Sequence, residues 1–109
     1  MPIDVAAEII SNRALSADYN VLGLSAPAIA AAAIPGQFIM VKVGASLGSK
    51  DPLLRRPFSV FEVLRGGDGT PTGITILSKR IGPSTSLIYD ARPGQVAGRL
   101  ALFFVTGGA

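Results

Sequence analysis

The sequence predicts an all-β domain, either a closed antiparallel barrel or a sandwich, with one short helix. Three observations lead to this prediction. Short apolar runs show period-two alternation. Glycine and proline separate these runs at nearly regular spacing. The 109 residues are enough for one domain and too few for two ordinary ones. Hydrophobic residues make up 49% of the chain and charged residues 16%, so the chain can bury a core and is not of the disordered class.

Most segments of the chain have the pattern of β-strands. The predicted strands cover residues 4–11, 18–25, 37–43, 58–64 and 73–80, and further β-prone runs lie at 95–97 and 100–105. The glycine-rich cluster 66–69 lies between two of these strands and indicates a hairpin turn. Closure into a barrel removes exposed strand edges, which matters in a chain this apolar.

Two segments differ from the strand pattern. Residues 26–33 are rich in alanine, but they are short and bracketed by Pro27 and Pro35, so we expect a loop with one helical turn. Residues 84–91 follow a Gly-Pro pair and begin with Ser84. A Ser or Thr N-cap followed by apolar residues is typical of a short helix, and we expect one here.

The composition excludes several kinds of chemistry. The chain contains neither cysteine nor histidine, so it can form no disulfide bond, iron–sulfur cluster or thiolate zinc site. Cysteine nucleophiles and Ser-His-Asp triads are excluded too. Residues 1–4 do not resemble the start of a signal peptide, and no stretch approaches the roughly 20 apolar residues of a membrane span. We therefore expect a cytoplasmic protein without a membrane partner.

The net charge of +3 does not by itself indicate nucleic acid. The ten basic residues are spread along the chain, with Arg55-Arg56 and Lys79-Arg80 as the densest pairs, whereas nucleic-acid surfaces usually cluster them among aromatic residues. We expect no nucleic-acid partner. A non-enzymatic barrel that binds nucleic acid or protein is the alternative of another class. Against it, most of the seven aromatic residues occupy positions that we expect in the core.

Two stretches carry the chemistry. At a strand entrance, Arg56 offers a fork for phosphate and Pro57 stiffens the turn between Arg56 and the strand. In an extended segment Phe58 shares the side of Arg56, and Ser59 lies on the other. The second stretch, 79–86, places hydroxyl side chains after a glycine turn that opens a helix, which suits an anion. The ordinary alternatives are a plain strand with a solvated arginine and a plain helix cap.

Five motifs follow one another along the chain: PGQF at 35–38, LLRRPFS at 53–59, SKRIGPST at 78–85, PGQV at 93–96 and GRLA at 98–101. Together they resemble the FAD-binding domain of the ferredoxin-reductase superfamily. They are most similar to the electron-transfer subunit of class 1B dihydroorotate dehydrogenase. The resemblance implies a six-stranded antiparallel Greek-key barrel with one short helix that holds FAD.

The resemblance also implies the residues of the cofactor site. They are Arg56, Pro57, Phe58, Ser59, Leu77, Ser78, Lys79, Gly82, Ser84 and Thr85. Among these, Arg56 contacts the pyrophosphate, Ser59 lies near the reactive N5 edge of the flavin, and Thr85 helps to cradle phosphate. No catalytic side chain and no metal ligand is implied in this chain.

The function implied by the resemblance is electron transfer. Electrons pass from NAD(P)H through FAD and a [2Fe–2S] cluster to a dihydroorotate dehydrogenase catalytic subunit in pyrimidine biosynthesis. The flavin subunit of a sulfhydrogenase or a ferredoxin–NADP reductase is the alternative within this class. We expect residues 1–105 to form the FAD-binding barrel and 106–109 to begin an NAD-binding domain. The NAD(P)H and cluster sites are then expected beyond this chain, which is not expected to be active alone.

Overall fold

Six antiparallel strands form a closed barrel in the computed structural model, which describes residues 3–34, 36–43 and 55–102. The elements in chain order are β1 (Ile3–Ala14), β2 (Tyr19–Ser25), α1 (Pro27–Ala32), β3 (Phe38–Val43), β4 (Arg55–Arg65), β5 (Pro71–Lys79), α2 (Pro83–Tyr89) and β6 (Val96–Leu102). The strands are arranged in the order β1-β2-β5-β4-β3-β6, and β6 also pairs with β1. Because β3, β4 and β5 are consecutive and β6 returns beside β3, the connection is a Greek key. The predicted six-stranded Greek-key barrel is confirmed.

Branched aliphatic side chains fill the barrel. On β2 and β5 the pairs Leu22–Ile76 and Leu24–Ile74 point inward, and all four side chains are buried. Burying such a side chain contributes about 1.5–3 kcal/mol. A slip of one residue would turn this whole set outward, so the alternation that predicted the strands also fixes their register. The largest fully buried side chains are Ile9, Leu22, Leu24, Ile29, Ile39, Val41, Val60, Ile74, Ile76 and Ile88.

The alanine-rich segment forms a second short helix, where the sequence predicted a loop with one helical turn. Pro27 begins α1, a position where its missing N–H is not needed. Ile29 and Ala30 are buried in the core, and α1 packs mainly against β5. Six residues do not form a stable helix in isolation. The burial of Ile29 therefore explains why this segment is helical.

The predicted helix is present as α2, but it begins and ends earlier than expected. Its N-cap is Gly82 rather than Ser84, and Pro83 takes the first helical position. The Thr85 hydroxyl accepts hydrogen bonds from the N–H groups of Ile81 and Gly82, at 2.8 and 3.0 Å. The preference of proline for the first position, together with this cap from inside the first turn, moves the N-cap two residues earlier.

Two strand boundaries also differ from the prediction. The runs at 95–97 and 100–105 belong to one strand, β6, as far as Leu102. β4 starts at Arg55, so Pro57 lies within the strand and not in a turn before it. Residues 103–109, including the predicted start of an NAD-binding domain, lie outside the described residues, as do Leu53 and Leu54 of the second motif. Neither described helix has the length and hydropathy needed to cross a membrane.

Candidate cofactor-binding cleft

β4 and β5 separate at one end of the barrel. Their ladder runs from the pair Arg65–Pro71 to the pair Val60–Ile76. Beyond it, residues 55–59 of β4 pair with β3, and residues 77–79 of β5 pair with β2, but no pair joins these two segments among the described residues. The register shifts between Val60 and Glu62, which is the mark of a bulge at Phe61. Because a bulge bends its strand, it accounts for the separation.

The position of Pro57 fits this separation. Proline has no N–H to donate to a ladder, so it is tolerated in a sheet only at an edge or a bulge. Pro57 pairs with Met40 of β3, and it lies in the part of β4 that has no β5 residue beside it. The side of β4 that faces β5 therefore behaves as a strand edge inside a closed barrel.

A cleft of about 780 Å³ lies between the separated strands and the first turn of α2. This volume is within the range of small-molecule and cofactor sites, about 300–1,000 Å³. The residues that line it are Gly36, Phe38, Arg56, Pro57, Phe58, Ser59, Val60, Phe61, Leu77, Lys79, Ile81, Gly82 and Thr85.

Eight of the ten predicted site residues line this cleft, namely Arg56, Pro57, Phe58, Ser59, Leu77, Lys79, Gly82 and Thr85. Ser78 does not, because it alternates with Leu77 and Lys79 and points into the barrel. It pairs with Asn20 and is only 1% exposed. Ser84 lies in α2, but its side chain is outside what the structure describes. The structure thus brings together residues 56–59 and 77–85, which are 18 residues or more apart in sequence.

Arg56 stands at the rim of the cleft. It pairs with Val41, and Phe58 pairs with Ile39, so Arg56 and Phe58 belong to the same face of β4, as the alternation predicted. Phe58 is buried and forms part of the floor, whereas Arg56 is exposed. No hydrogen bond or ion pair engages the Arg56 guanidinium among the described residues. Its five donors are therefore available to a ligand.

The described residues that line the cleft carry charge of one sign. Arg56 and Lys79 line it, and no acidic residue is among the described residues that do so. The Lys79 ammonium lies 5.6 Å from the centre of the Tyr19 ring, an attraction between cation and ring that orients this side chain. A cleft whose described lining carries two cations and no carboxylate suits an anionic ligand.

The hydroxyl of Thr85 is already engaged. It accepts from the N–H groups of Ile81 and Gly82, and it lies 3.2 Å from the Gly82 carbonyl oxygen, to which it donates. Thr85 therefore shapes the turn at this wall of the cleft. The N–H groups of Ser84 and Thr85 have no intrahelical acceptor, because they belong to the first turn.

Sequence reasoning missed five lining residues, namely Gly36, Phe38, Val60, Phe61 and Ile81. Three of them are apolar and well exposed: Phe38 by 59%, Phe61 by 48% and Ile81 by 74%. The expectation that most aromatic residues lie in the core was wrong for Tyr19, Phe38 and Phe61. For Phe38 a signal existed, because it alternates with the buried Ile39 and so belongs to the outer face of β3.

No family model matches the chain. The chain is 33% identical over 90 residues to the dihydroorotate dehydrogenase B (NAD(+)) electron transfer subunit of Desulforamulus reducens, a match that covers 82% of this chain and 31% of that protein. The subunit of the same name from Bacillus caldolyticus is 41% identical over 61 residues, which cover 56% of this chain and 21% of that protein. The chain is a homologue of this electron transfer subunit. It spans about a third of the length of the curated relatives that it matches.

Solved structures show the same barrel. One is an NADH-dependent reduced ferredoxin–NADP oxidoreductase, with a TM-score of 0.64 and 16% identity, over 87% of this chain and 31% of that one. Another is the ferredoxin reductase of carbazole 1,9a-dioxygenase in its FAD apo form, with a TM-score of 0.58 and 23% identity, over 98% of this chain and 33% of that one. The fold is that of ferredoxin reductases. The resemblance inferred from the five sequence motifs is confirmed.

Proposed function

We propose that this barrel binds FAD in the cleft and serves as the flavin module of an electron-transfer oxidoreductase. The observation that carries the proposal is the cleft itself, which joins exposed apolar side chains to a guanidinium that has no partner among the described residues. An aromatic ring system with an anionic tail matches both features. Homology to electron transfer subunits supports the proposal independently of the geometry.

The residues present fit this cofactor. Phe58 forms an apolar floor, and Phe61 and Leu77 supply exposed apolar surface for the flavin ring. Arg56 would hold the pyrophosphate through a two-pronged contact, and the first turn of α2 with Gly82 would lie against phosphate. Thr85 would help to cradle phosphate by shaping this turn, in which its hydroxyl accepts two hydrogen bonds.

The flavin would supply the chemistry when bound, by accepting a hydride and passing on single electrons. The chain supplies position and surroundings. Ser59 lies on the outer face of β4, exposed and next to the buried Phe58, where its hydroxyl can donate to an edge of the ring. The free edges of β4 and β5 offer backbone groups for the polar rim of the ring. The apolar side chains around the cleft exclude water from the reacting face.

The whole protein's activity follows from the relatives' names as a further proposal. Residues 1–105 would be the FAD-binding domain, and 106–109 would begin an NAD-binding domain. Electrons would pass from NAD(P)H through FAD and then through a [2Fe–2S] cluster to a dihydroorotate dehydrogenase catalytic subunit in the cytoplasm. The sites for NAD(P)H and for the cluster would lie outside this barrel. The structural likeness to a ferredoxin–NADP oxidoreductase favours, as a second candidate, a flavin subunit that serves ferredoxin.

Flavin titration tests the proposal. We expect the purified chain to take up FAD, seen as quenching or shift of flavin absorbance and fluorescence, and to bind FAD more tightly than FMN. The reason is that two separate places, Arg56 and the Gly82 turn, suit a pyrophosphate between them. Equal affinity for FAD and FMN contradicts the pyrophosphate site, and a chain that binds neither flavin contradicts the proposed function.

A further inference from the structure

The β1–β2 hairpin forms hydrogen bonds with the C-terminal end of α2. The side-chain amide of Asn12 on β1 donates to the carbonyl oxygens of Tyr89 and Ala91, at 2.9 and 2.8 Å. Its own oxygen accepts a 2.8 Å hydrogen bond from the amide of Asn20 on β2. Both amides also lie 3.4 Å from the carbonyl oxygen of Ile88. The pair Asn12–Asn20 thus contacts the carbonyl oxygens of three residues at the end of the helix, namely Ile88, Tyr89 and Ala91.

The tip of the same hairpin adds further contacts. The hydroxyl of Tyr89 donates to the carbonyl oxygen of Ser16 at 2.6 Å, and the N–H of Arg80 donates to that of Asp18 at 2.6 Å. The Arg80 guanidinium lies 4.5 Å from the centre of the Tyr89 ring. The hairpin therefore holds the chain both before α2 and at its end.

These contacts matter because α2 cannot hold itself in place. Its seven residues are too few for a stable isolated helix. The last carbonyls of a helix have no donors within the helix and need partners elsewhere. Asn12 provides those donors from inside a partly buried site, and Ile88 is buried in the core beside it.

We propose that Asn12 is a positioning residue for the cofactor cleft. Neither Asn12 nor Asn20 lines the cleft, whereas Gly82 and Thr85, at the opposite end of α2, form one of its walls. The helix transmits the position set by Asn12 to that wall over about 10 Å, since each residue adds about 1.5 Å. The inference rests on the proposed function only for the identity of the ligand, because the placement of the wall is a property of the protein alone.

The test compares Asn12→Leu, which keeps the approximate size and removes the donors, with Ile9→Val on the same strand. Ile9→Val trims the buried core and leaves the hydrogen bonds from Asn12 to the end of α2 in place, so it controls for a general loss of stability. We expect Asn12→Leu to speed amide hydrogen exchange in residues 86–91 by about tenfold or more relative to the control, because local opening reports lost local contacts. The amide resonances of Gly82 and Thr85 should shift as well.

FAD titration gives the second readout. We expect Asn12→Leu to weaken FAD binding several-fold and riboflavin binding much less, because riboflavin has no phosphate to place at the α2 wall. The proposal would be overturned if the amide exchange rates and resonances of α2 in Asn12→Leu matched those in Ile9→Val. Faster amide exchange in α2 together with an unchanged FAD affinity would also overturn it. A wild-type chain without flavin affinity contradicts the proposed function, while exchange and resonances still decide whether Asn12 sets the wall.

Discussion

Arg56 lies where the inner face of β4 reaches solvent. Its strand partner Val41 and its face neighbour Phe58 are buried, yet Arg56 itself is exposed and unpaired among the described residues. A charge beside an apolar floor interacts more strongly with an anion than the same charge on an open surface, because the surroundings screen it less. This placement makes Arg56 the residue on which binding of a phosphate group should depend most.

Arg56→Ala is expected to weaken FAD binding by about one to two orders of magnitude. Charge-assisted hydrogen bonds are worth about 1.5–3 kcal/mol each, and about 1.4 kcal/mol is tenfold in affinity. Arg56→Lys should recover only part of the loss, because an ammonium group cannot reproduce the two-pronged contact. Isothermal titration at fixed ionic strength measures both changes.

Two alanine variants serve as controls for Arg56. Arg13 is exposed on β1 and does not line the cleft. Arg55 precedes Arg56 in the sequence and carries the same charge, so it tests whether a basic side chain at the neighbouring position is enough. Arg13→Ala and Arg55→Ala should both leave FAD affinity within about twofold, a small effect by comparison with tenfold per 1.4 kcal/mol. Weakening by either control as large as that of Arg56→Ala shows a general attraction and refutes the specific contact.

Ser78→Ala is expected to leave both stability and FAD affinity nearly unchanged. The Ser78 hydroxyl oxygen is buried and has no hydrogen-bond partner in the described part of the chain, and neither has the side-chain oxygen of its strand partner Asn20. Removing an unpaired buried polar group is close to neutral, within about 0.5 kcal/mol. Thr85→Ala is the contrast, because it removes a cap and should lower stability by about 0.5–2 kcal/mol. Urea denaturation measures both, and a large loss in Ser78→Ala would contradict the inward, unpaired placement.

Elements in this barrel meet so closely that some positions admit no side chain. β2 and β5 run side by side, with Ser25 opposite Gly73. A Cβ atom at Gly73 would overlap the carbonyl oxygen of Leu24, which is backbone and cannot turn away. Gly67, in the turn between β4 and β5, has nothing within 4 Å of such an atom and no positive φ.

Gly73→Ala should therefore lower the free energy of unfolding by about 2 kcal/mol or more, since the β2–β5 ladder has to shift to make room. Gly67→Ala, in the turn that connects β4 to β5, should change the free energy of unfolding by less than about 0.5 kcal/mol. Thermal or urea unfolding of the two variants compares them directly. Similar losses at both positions would show that the ladder does not pass so close to Gly73.

The turn between β4 and β5 carries one pH-dependent contribution. Asp68 accepts a hydrogen bond from the N–H of Thr70 at 3.0 Å, and this bond lowers the pKa of the Asp68 carboxyl below its ordinary value. A lowered pKa in the folded state means that the contribution is present above the unfolded pKa and is lost as the pH falls through the folded pKa. Asp68→Ala should thus be less stable than wild type at neutral pH. The difference should shrink in strongly acidic buffer, as measured by thermal unfolding; a difference that grows there would contradict this sign.

At the scale of elements, much of the fold was predictable from the sequence. The apolar runs of β2 and β5 are recognisable because most of their residues are buried, and the strands predicted at 18–25 and 73–80 lie where the structure has them. The start of α2 was misplaced because Ser84 looked like a cap, while the cap hydroxyl comes from Thr85 inside the turn. The helix α1 was underestimated because its stability depends on burying Ile29 against the barrel, a tertiary contact that local propensity does not report.

At the scale of the whole molecule, the cleft was predictable only in its parts. Arg56 and Gly82 were recognisable from the sequence as positions that suit a phosphate group, and the motifs assigned both to the cofactor site of one family. Their meeting depends on where the β4–β5 ladder stops, and no local run of sequence encodes that point. The bulge at Phe61, which bends β4 away from β5, is visible only once the register of both strands is known.

Cofactor binding should appear in the stability of the whole molecule. A ligand that binds only the folded state stabilises it by about 2.7 kcal/mol when its free concentration is 100 times its dissociation constant. FAD is therefore expected to raise the melting temperature of the chain by several degrees, and to raise that of Arg56→Ala much less at the same concentration. Differential scanning fluorimetry with a dye distinct from flavin emission, or calorimetry, measures the shift. An equal shift in both proteins would place the binding away from Arg56.

The position of β6 has a consequence for folding kinetics. This strand closes the barrel by lying between β1 and β3, and it pairs residue 3 with residue 102. Pairs so distant in sequence form only after a long loop has closed, so they form later than local contacts. Local hairpins such as β4–β5 form within about 1–10 μs. We therefore expect β6 to dock late, after the main barrier. Substitutions that weaken its pairing should speed unfolding more than they slow refolding, which chevron plots would show as a change confined mainly to the unfolding arm.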